Sequence, residues 1–523
     1  MSRVLIADKL SPQAIDVFKR KGVEADVKTG LPPEELLKII GEYEGIAVRS
    51  ATKVTAEVIR AGGKLKVIGR AGIGVDNVDV PAATAQGIVV MNTPFGNSVT
   101  TAEHAISLMM ALARQIPQAN ASTHAGKWEK SGFMGMELAG KTLGLIGCGN
   151  IGSIVADRAQ GLKMRVIAYD PYLSKERADA IQVEKVELDS LFERADIVSL
   201  HTPLTETTRH IINKNTLAMC KKGVRIVNCA RGGLIDEAAL KDAIESGQIA
   251  GAALDVFEEE PAKKNPLFGM KDVICTPHLG ASTAEAQENV AVQVAEQMAD
   301  YLVSGAVTNA LNIPSMSVED AAKLKPYLLL ADWLGSFAGQ MTETGLKAVK
   351  IDYEGKAASL NTKPLTAVAL KGLLAPLVEG ANMVNAPVIA RERGIGVSAT
   401  SHERSGDYQA LIRITVETDR RARTVAGTLF EGRPRIVEVG GVKLEAGLGA
   451  HMLYVNNDDK PGFIGALGTV LGKAGINIAN FHLGRNDSHE AVALVEIDQP
   501  VSAELLAEIA KVPSVRQVKA LVF

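Results

Sequence analysis

Four cysteines in 523 residues, Cys148, Cys220, Cys229 and Cys275, are too few and too scattered for a disulfide framework, and none stands in a C-x-x-C pair. That gives no metal site and suits a reducing compartment. Charge of one sign is missing too. The 57 basic and 60 acidic residues are mixed along the chain and leave a formal charge of -3, which favours neither nucleic acid nor an anionic membrane as partner. No apolar run approaches the length of a membrane span, and the opening MSRVLIADKL has neither a long apolar core nor a small-residue cleavage site. A soluble, cytoplasmic chain is expected. Its length far exceeds one core, so three or four domains are expected, and a hydrophobic content of 46% can fill them.

What the sequence does have is concentrated between Lys141 and Tyr172, KTLGLIGCGNIGSIVADRAQGLKMRVIAYDPY. An apolar run enters Gly147, Gly149 and Gly152, spaced G-x-G-x-x-G, and a helical segment from Ile151 to Gln160 leaves them. The first glycine makes a tight turn, the second lets backbone approach a pyrophosphate, and the third lets helix pack on strand. The helix N-terminus then offers unpaired N–H groups to the phosphates. A second apolar run ends at Asp170, whose carboxylate can accept the ribose hydroxyls and would repel a 2′-phosphate, which argues for NAD over NADP. Cys148 reads as a small apolar filler.

Before this stretch, short apolar runs at residues 3–8, 46–48, 67–68 and 88–91 alternate with helical segments and predict a parallel sheet. Arg49 and Arg70 each follow a strand, where open α/β sheets bind ligands, and two guanidiniums there suit a phosphate or carboxylate. Surface ion pairing is the plain alternative for each taken alone. From Thr100 the pattern turns helical, with a capping box expected from Thr100 to Glu103. His104 and His124 have no carboxylate or thiol at ligand spacing and read as structural.

After Asp170 the rhythm continues. Arg231 follows IVNCA, Glu260 follows ALDVFEE, and His278 follows VICTP, each just past a strand. A histidine relays a proton near neutral pH, a carboxylate beside it fixes its tautomer and raises its pKa, and an arginine can hold a carboxylate and polarise a carbonyl oxygen. Each is unremarkable alone, but three at consecutive strand ends of a nucleotide-binding sheet read as a catalytic set. Beyond Pro314 the pattern predicts a helix from Ala321 to Met341, a strand at Leu346 to Gly355, helix from Leu370 to Val384, a loop from Gly396 to Asp407, and strands at Gln409 to Thr418 and Arg435 to Glu445. Ordinary solvation accounts for Arg433, Arg435 and Lys443. Residues from His451 onward read βαββαβ.

The stretches GCGNIG, HTPLTETTRHIIN, NCARGGLIDE, ALDVFEEEP and TPHLGAST resemble those of the D-isomer-specific 2-hydroxyacid dehydrogenases. The whole layout is similar to the long-form, phosphoglycerate-oxidising branch of that family. The resemblance implies an α/β fold with a Rossmann-type nucleotide domain (99–286) inserted in a flavodoxin-like substrate domain (1–98 and 287–312). An α+β intervening domain (313–449) and a βαββαβ ACT domain (450–523) would follow. It implies NAD as cofactor, 3-phosphoglycerate as substrate, and a homo-oligomer, dimer or tetramer. Carried over by position, Arg231 orients substrate, His278 is the acid/base and Glu260 its partner. Asn150, Ile151, Asp170, Thr202, Cys229, Ala230, Arg231, Asp255, His278 and Ala281 match NAD-contacting positions, with Cys229 a backbone contact. Arg49, Arg70 and Asn97 match substrate-binding positions. Lys127 and Lys130 would reach a neighbouring subunit's site in the family's dimer.

The segment DDKPGFIG matches an ACT ligand loop, and the resemblance implies L-serine as an effector held by Asp459 and Asn477. Asn457 departs from the pattern, since a serine-inhibited relative carries Tyr there. A purely dimerising ACT domain remains the alternative. Two other readings stand beside the main one. A glyoxylate- or hydroxypyruvate-reducing relative shares the trio but ends near residue 320. An NAD-sensing corepressor shares the core but would carry partner grooves and disordered tails.

Overall fold

The structure, a computed structural model, describes residues 1–343, 345–403, 406–487 and 489–523. It divides into two compact units, one comprising 1–92 with 294–523 and the other 93–293. Among the described residues the strands form four sheets.

In the first unit, the strands Glu24–Val27, Arg3–Ile6, Gly45–Val48, Val67–Arg70 and Val89–Asn92 lie side by side in that order, all parallel. Gly45–Val48 is buried throughout, as expected of a parallel strand covered on both faces. The far half of the Ala284–Ser304 helix returns to this sheet, with Val294 and Met298 packed where a Cβ on Gly69 would strike them. The chain behind it stays there, because Asn92 N–H donates to Asn309 O at 3.2 Å and Val90 N–H to Asn312 Oδ1 at 3.0 Å.

A mixed sheet follows in the same unit, ordered Gly396–His402, Leu346–Gly355, Ala410–Thr418, Ala422–Phe430, Arg433–Val439, Val442–Ala446. Its first pairing is parallel and the others antiparallel. Four expectations need correction here and in the second unit. Gly396–His402 is a strand rather than a loop; all seven residues are exposed on a sheet edge, so no apolar alternation marks it. Arg404 and Ser405, in the same expected loop, lie outside the described residues. The helix expected over 370–384 begins earlier, at an Asn361 cap, spans Thr362–Leu374, and stops before Pro376; a separate helix covers Ala386–Glu392. Arg435 to Glu445 is a hairpin whose turn, Gly440 and Gly441, takes φ of +59° and +83°, and the Ala422–Phe430 strand before it was not anticipated. In the second unit no capping box forms at Thr100, because the Ser98–Arg114 helix already begins after Asn97.

The last sheet is ordered Ile478–Arg485, Ala491–Ile497, His451–Asn457, Val515–Val522, all antiparallel, with helices Phe463–Lys473 and Ala503–Ile509 between strands, the βαββαβ order. Alternation along its strands splits its side chains between two cores. Leu453, Val455, Ala493 and Val495 pack with its own helices. Met452, Tyr454, Val492, Leu494 and Leu521 join the core of the mixed-sheet domain, where Tyr454 meets Phe337 of the Val318–Gln340 helix edge-on at 6.1 Å.

In the second unit seven parallel strands run in the order Val273–Cys275, Ile249–Leu254, Val224–Asn228, Ile197–Leu200, Thr142–Ile146, Arg165–Tyr169, Glu184–Lys185. Apolar clusters cover both faces. No helix among the described residues is long and apolar enough to cross a membrane.

Candidate active site

The cofactor side is built by three glycines. The buried strand Thr142–Ile146 runs into Gly147, which takes φ of +92° beneath the His201 carbonyl, a space and a conformation that a side chain would lose. A Cβ on Gly152 would strike the Gly147 carbonyl, so helix and turn close on each other there. Gly149 differs: nothing lies within 4 Å of where its Cβ would be, and it caps the Asn150–Gly161 helix without any side-chain cap bond. The first-turn N–H groups therefore face open space, which suits a diphosphate. Asn150 and Ile151 start that helix.

Asp170, at the end of Arg165–Tyr169, is held ready by two backbone donors, Cys148 N–H to Oδ2 and Tyr172 N–H to Oδ1, both 2.8 Å. Its remaining lone pairs are free to accept ribose hydroxyls. Burial pushes the Cys148 thiol up to about 11, as expected of a filler. His201 sits behind the turn, half-buried and pushed down to about 4 by desolvation, with Nε2 2.8 Å from Ser199 Oγ; Thr202 follows it. Cys229 is buried and its thiol is raised by desolvation, which leaves it unreactive; Ala230 follows it. These residues fit an NAD molecule in type and placement.

The strands Val224–Asn228, Ile249–Leu254 and Val273–Cys275 are parallel neighbours, with Asn228 paired to Leu254 and Leu254 to Cys275. The segments after them therefore emerge at one edge, which is how Arg231, Glu260 and His278 meet. His278 Nδ1 lies 2.6 Å from Glu260 Oε2. The Phe257 N–H holds the other oxygen, Oε1, at 3.0 Å, so the carboxylate is aimed from behind. The hydrogen bond to Glu260 raises the His278 pKa above the usual imidazole value, opposed by burial and by the nearby Arg231 charge. Burial would raise Glu260, but the bonds from His278 and Phe257 N–H outweigh it and hold the carboxyl below its ordinary value. With Nδ1 committed to Glu260, Nε2 is left to exchange a proton.

His278 itself has φ of +56°, in the left-handed region. Asp255, wholly buried, supports it: its carbonyl accepts the His278 N–H at 2.9 Å, and its carboxylate accepts the Leu279 N–H at 2.7 Å and the Gly280 N–H at 2.8 Å. Thr276 Oγ1 and His104 Nε2 complete the set at 2.6 and 3.2 Å. Burial would raise the Asp255 pKa, and these donors together hold it below its usual value. His104, read from the sequence as structural, has a carboxylate partner 151 positions away. Only the helical spacing of Thr101 and His104, one turn apart on one face, hints at it. Ala281 follows this turn.

The remaining expected positions are placed separately. Asn97 heads the Ser98–Arg114 helix, buried, with its carbonyl 3.0 Å from Thr101 Oγ1. In the other unit Arg49 follows Val48, which pairs with Arg70, so the two guanidiniums stem from adjacent strand ends. The Arg49 N–H is fixed by Asp8 Oδ2 at 2.6 Å. Asp459 lines a pocket with Lys460, Phe463, Leu483 and Arg485, and pairs with Arg485 at 3.2 Å. Asn457 lines it too but is buried, its amide donating to the Ala491 carbonyl at 3.4 Å. Exposed Asn477 donates to Asp498 Oδ2 at 2.9 Å and does not line that pocket.

Comparison with known proteins matches this geometry to a lineage. Residues 106–280 match the D-isomer specific 2-hydroxyacid dehydrogenase NAD binding domain, 323–440 the D-3-phosphoglycerate dehydrogenase intervening domain, and 451–514 the ACT domain. The chain is 46% identical over 520 residues to D-3-phosphoglycerate dehydrogenase of Synechocystis, covering 99% of this chain and 94% of the relative. It is 45% identical to that of Methanocaldococcus jannaschii, covering 99% of both. A solved glyoxylate reductase from Paecilomyes thermophila aligns with a TM-score of 0.55 at 32% identity, over 59% of this chain and 98% of that one. The glyoxylate reductase thus accounts for little more than half of this chain, whereas the two dehydrogenase relatives span nearly all of it. With an NAD-binding dehydrogenase core, an intervening domain and an ACT domain in that order, the chain belongs to the D-3-phosphoglycerate dehydrogenase family, within the D-isomer-specific 2-hydroxyacid dehydrogenases.

Proposed function

We propose that the chain oxidises the 2-hydroxyl of 3-phospho-D-glycerate to give 3-phosphohydroxypyruvate, the first committed step toward L-serine, with His278, Glu260 and Arg231 carrying the chemistry. Gly147, Gly149, Gly152, Asn150 and Ile151 hold the diphosphate of NAD, and Asp170 its ribose. NAD, when bound, takes the hydride from C2. His278 Nε2 accepts the hydroxyl proton, while Glu260 keeps the ring oriented and stabilises the imidazolium that results. Arg231 holds the C1 carboxylate and the C2 oxygen, so the charge that develops meets a fixed cation. Arg49, Arg70 and Asn97 bind the rest of the substrate, the two arginines by their charge.

What supports this reading is the 2.6 Å bond between His278 Nδ1 and Glu260, set beside Arg231 at the ends of neighbouring strands. The domain limits expected from the sequence belong to the same proposal, as do a cytoplasmic location, a homo-oligomer, and L-serine bound at the ACT pocket by Asp459, with Asn477 supplied by a facing chain. Steady-state rates with 3-phosphoglycerate and with glycerate, using NAD, test it. Phosphoglycerate should be strongly preferred, and His278→Ala should lower kcat on the order of 10²-fold or more. Equal use of both substrates, or near-normal turnover by His278→Ala, would overturn it.

A further inference from the structure

A left-handed φ at a non-glycine residue persists only where its surroundings fix it. At His278 the Thr276 carbonyl shares the backbone N–H at 3.0 Å, and most of the fixing is done by Asp255. Asp255 takes three consecutive N–H groups, those of His278, Leu279 and Gly280, with its carbonyl and both carboxylate oxygens. A carboxylate with no solvent exposure keeps its charge only if donors replace the water it has lost. Two of the donors are the backbone it positions and a third is Thr276 of the same segment. The fourth, His104 Nε2 at 3.2 Å, comes from a different element, the Ser98–Arg114 helix.

That helix grips the same turn a second time. Thr101 Oγ1, one helical turn before His104, donates to the Gly280 carbonyl at 2.9 Å. The fit is close, since a Cβ on Gly280 would come within 3.3 Å of Asp255 Oδ2 and 3.4 Å of the Thr101 methyl. The carboxylate is therefore held between the helix and the turn, and any shift of it is passed directly to the backbone on both sides of His278.

We propose that His104 is a positioning residue for the oxidation, holding Asp255 so that Asp255 in turn holds the His278 turn in its reactive geometry. The proposal rests on the acid/base role given to His278. His104 touches neither substrate nor reacting atoms; it acts through a hydrogen bond from Nε2 shared between the buried Asp255 carboxylate at 3.2 Å and Thr276 Oγ1 at 3.4 Å. Loss of that bond leaves a charged oxygen short of a donor where water does not reach, and the carboxylate and its two N–H partners re-seat together.

The test uses the full chain. Turnover of 3-phosphoglycerate by the unmodified protein is measured first, and its absence would refute the functional reading rather than this one. His104→Ala should then lower kcat on the order of 10-fold, as a sub-ångström misplacement of an acid/base group does, with KM for both substrates within about twofold. His104→Gln, which returns an N–H donor, should recover most of the loss. In an Asp255→Asn background, His104→Ala should cost nothing further, because the pair acts as one unit. Melting temperatures accompany each variant. A His104→Ala protein with a lower melting temperature but an unchanged kcat would show a merely structural histidine and overturn the proposal. So would losses that multiply in the double variant, or no recovery in His104→Gln.

Discussion

Gly232, next to Arg231, offers a severe geometric test of the site. Its φ is ordinary, so the residue is not there for conformational freedom; it is there for space. A Cβ added to it would lie 1.8 Å from the Phe257 carbonyl oxygen, 2.2 Å from the Phe257 carbonyl carbon and 2.8 Å from the Glu258 nitrogen. All three are backbone atoms, so no side chain can rotate away. Reaching even a tight 3.0 Å contact requires the two segments to separate by about 1.2 Å at that oxygen. One segment carries Arg231. The other carries the Phe257 N–H that aims the Glu260 carboxylate, and with it the bond to His278.

Gly232→Ala should therefore divide the trio. Misplacement by about 1 Å costs roughly 10²-fold in rate, or about 2.7 kcal/mol of barrier, and the overpacking itself should lower stability by about 1–3 kcal/mol. The comparison is with Gly161→Ala at the end of the Asn150–Gly161 helix, where nothing lies within 4 Å of the added methyl. That variant should keep its kcat. Initial rates of NADH formation at saturating 3-phosphoglycerate, normalised to folded protein and paired with thermal melts, give the answer. A Gly232→Ala enzyme that melts normally and turns over within about twofold of the parent would refute the packing argument and the dependence of the site on this close approach.

Three further outcomes follow from the same geometry. Asp170→Ala should raise the NADP-to-NAD ratio of kcat/KM, because it removes both the ribose acceptor and the repulsion of a 2′-phosphate; equal turnover with both cofactors by the unmodified chain would defeat the assignment. Glu260→Gln should move the acid limb of the kcat/KM–pH profile for oxidation to lower pH. His278 must be neutral to take a proton, its pKa is raised by the Glu260 bond, and an uncharged partner lets it fall, so an unmoved limb would separate Glu260 from the titration. Calorimetric titration of L-serine into the full chain should give heat that Asp459→Ala abolishes. The serine ammonium has to share a carboxylate already paired with Arg485, so the site should be weak, and silence at millimolar serine would assign the ACT domain to assembly or another ligand.

The nucleotide-binding sheet was legible because each of its parts leaves a local trace: apolar runs for strands covered on both faces, glycines where the backbone has no room, and a polar residue where a strand ends. The trio was legible for the same reason, since parallel neighbouring strands bring consecutive strand ends together. What escaped was whatever depends on a partner far along the chain. His104 read only as structural, with no sign of its partner, because Asp255 is 151 residues away. Gly396–His402 looked like a loop because an exposed edge strand buries neither face and so carries no alternation. The cap of the Ser98–Arg114 helix was misplaced by three residues because Thr100 and Glu103 satisfy the local rule, while the true start is set by Asn97 and the buried turn it enters.

The four-stranded sheet at the end of the chain has one face covered by its own helices and the other by the domain that precedes it. Severed near residue 450, it would present Met452, Tyr454, Val492, Leu494 and Leu521 to water as one adhesive plane, and the stump would bare the matching plane around Phe337. The two C-terminal modules thus share one core and belong together. A chimaera that grafts sensing onto another dehydrogenase should exchange everything from about residue 314 onward, and a graft of the last 74 residues alone should be expected to precipitate.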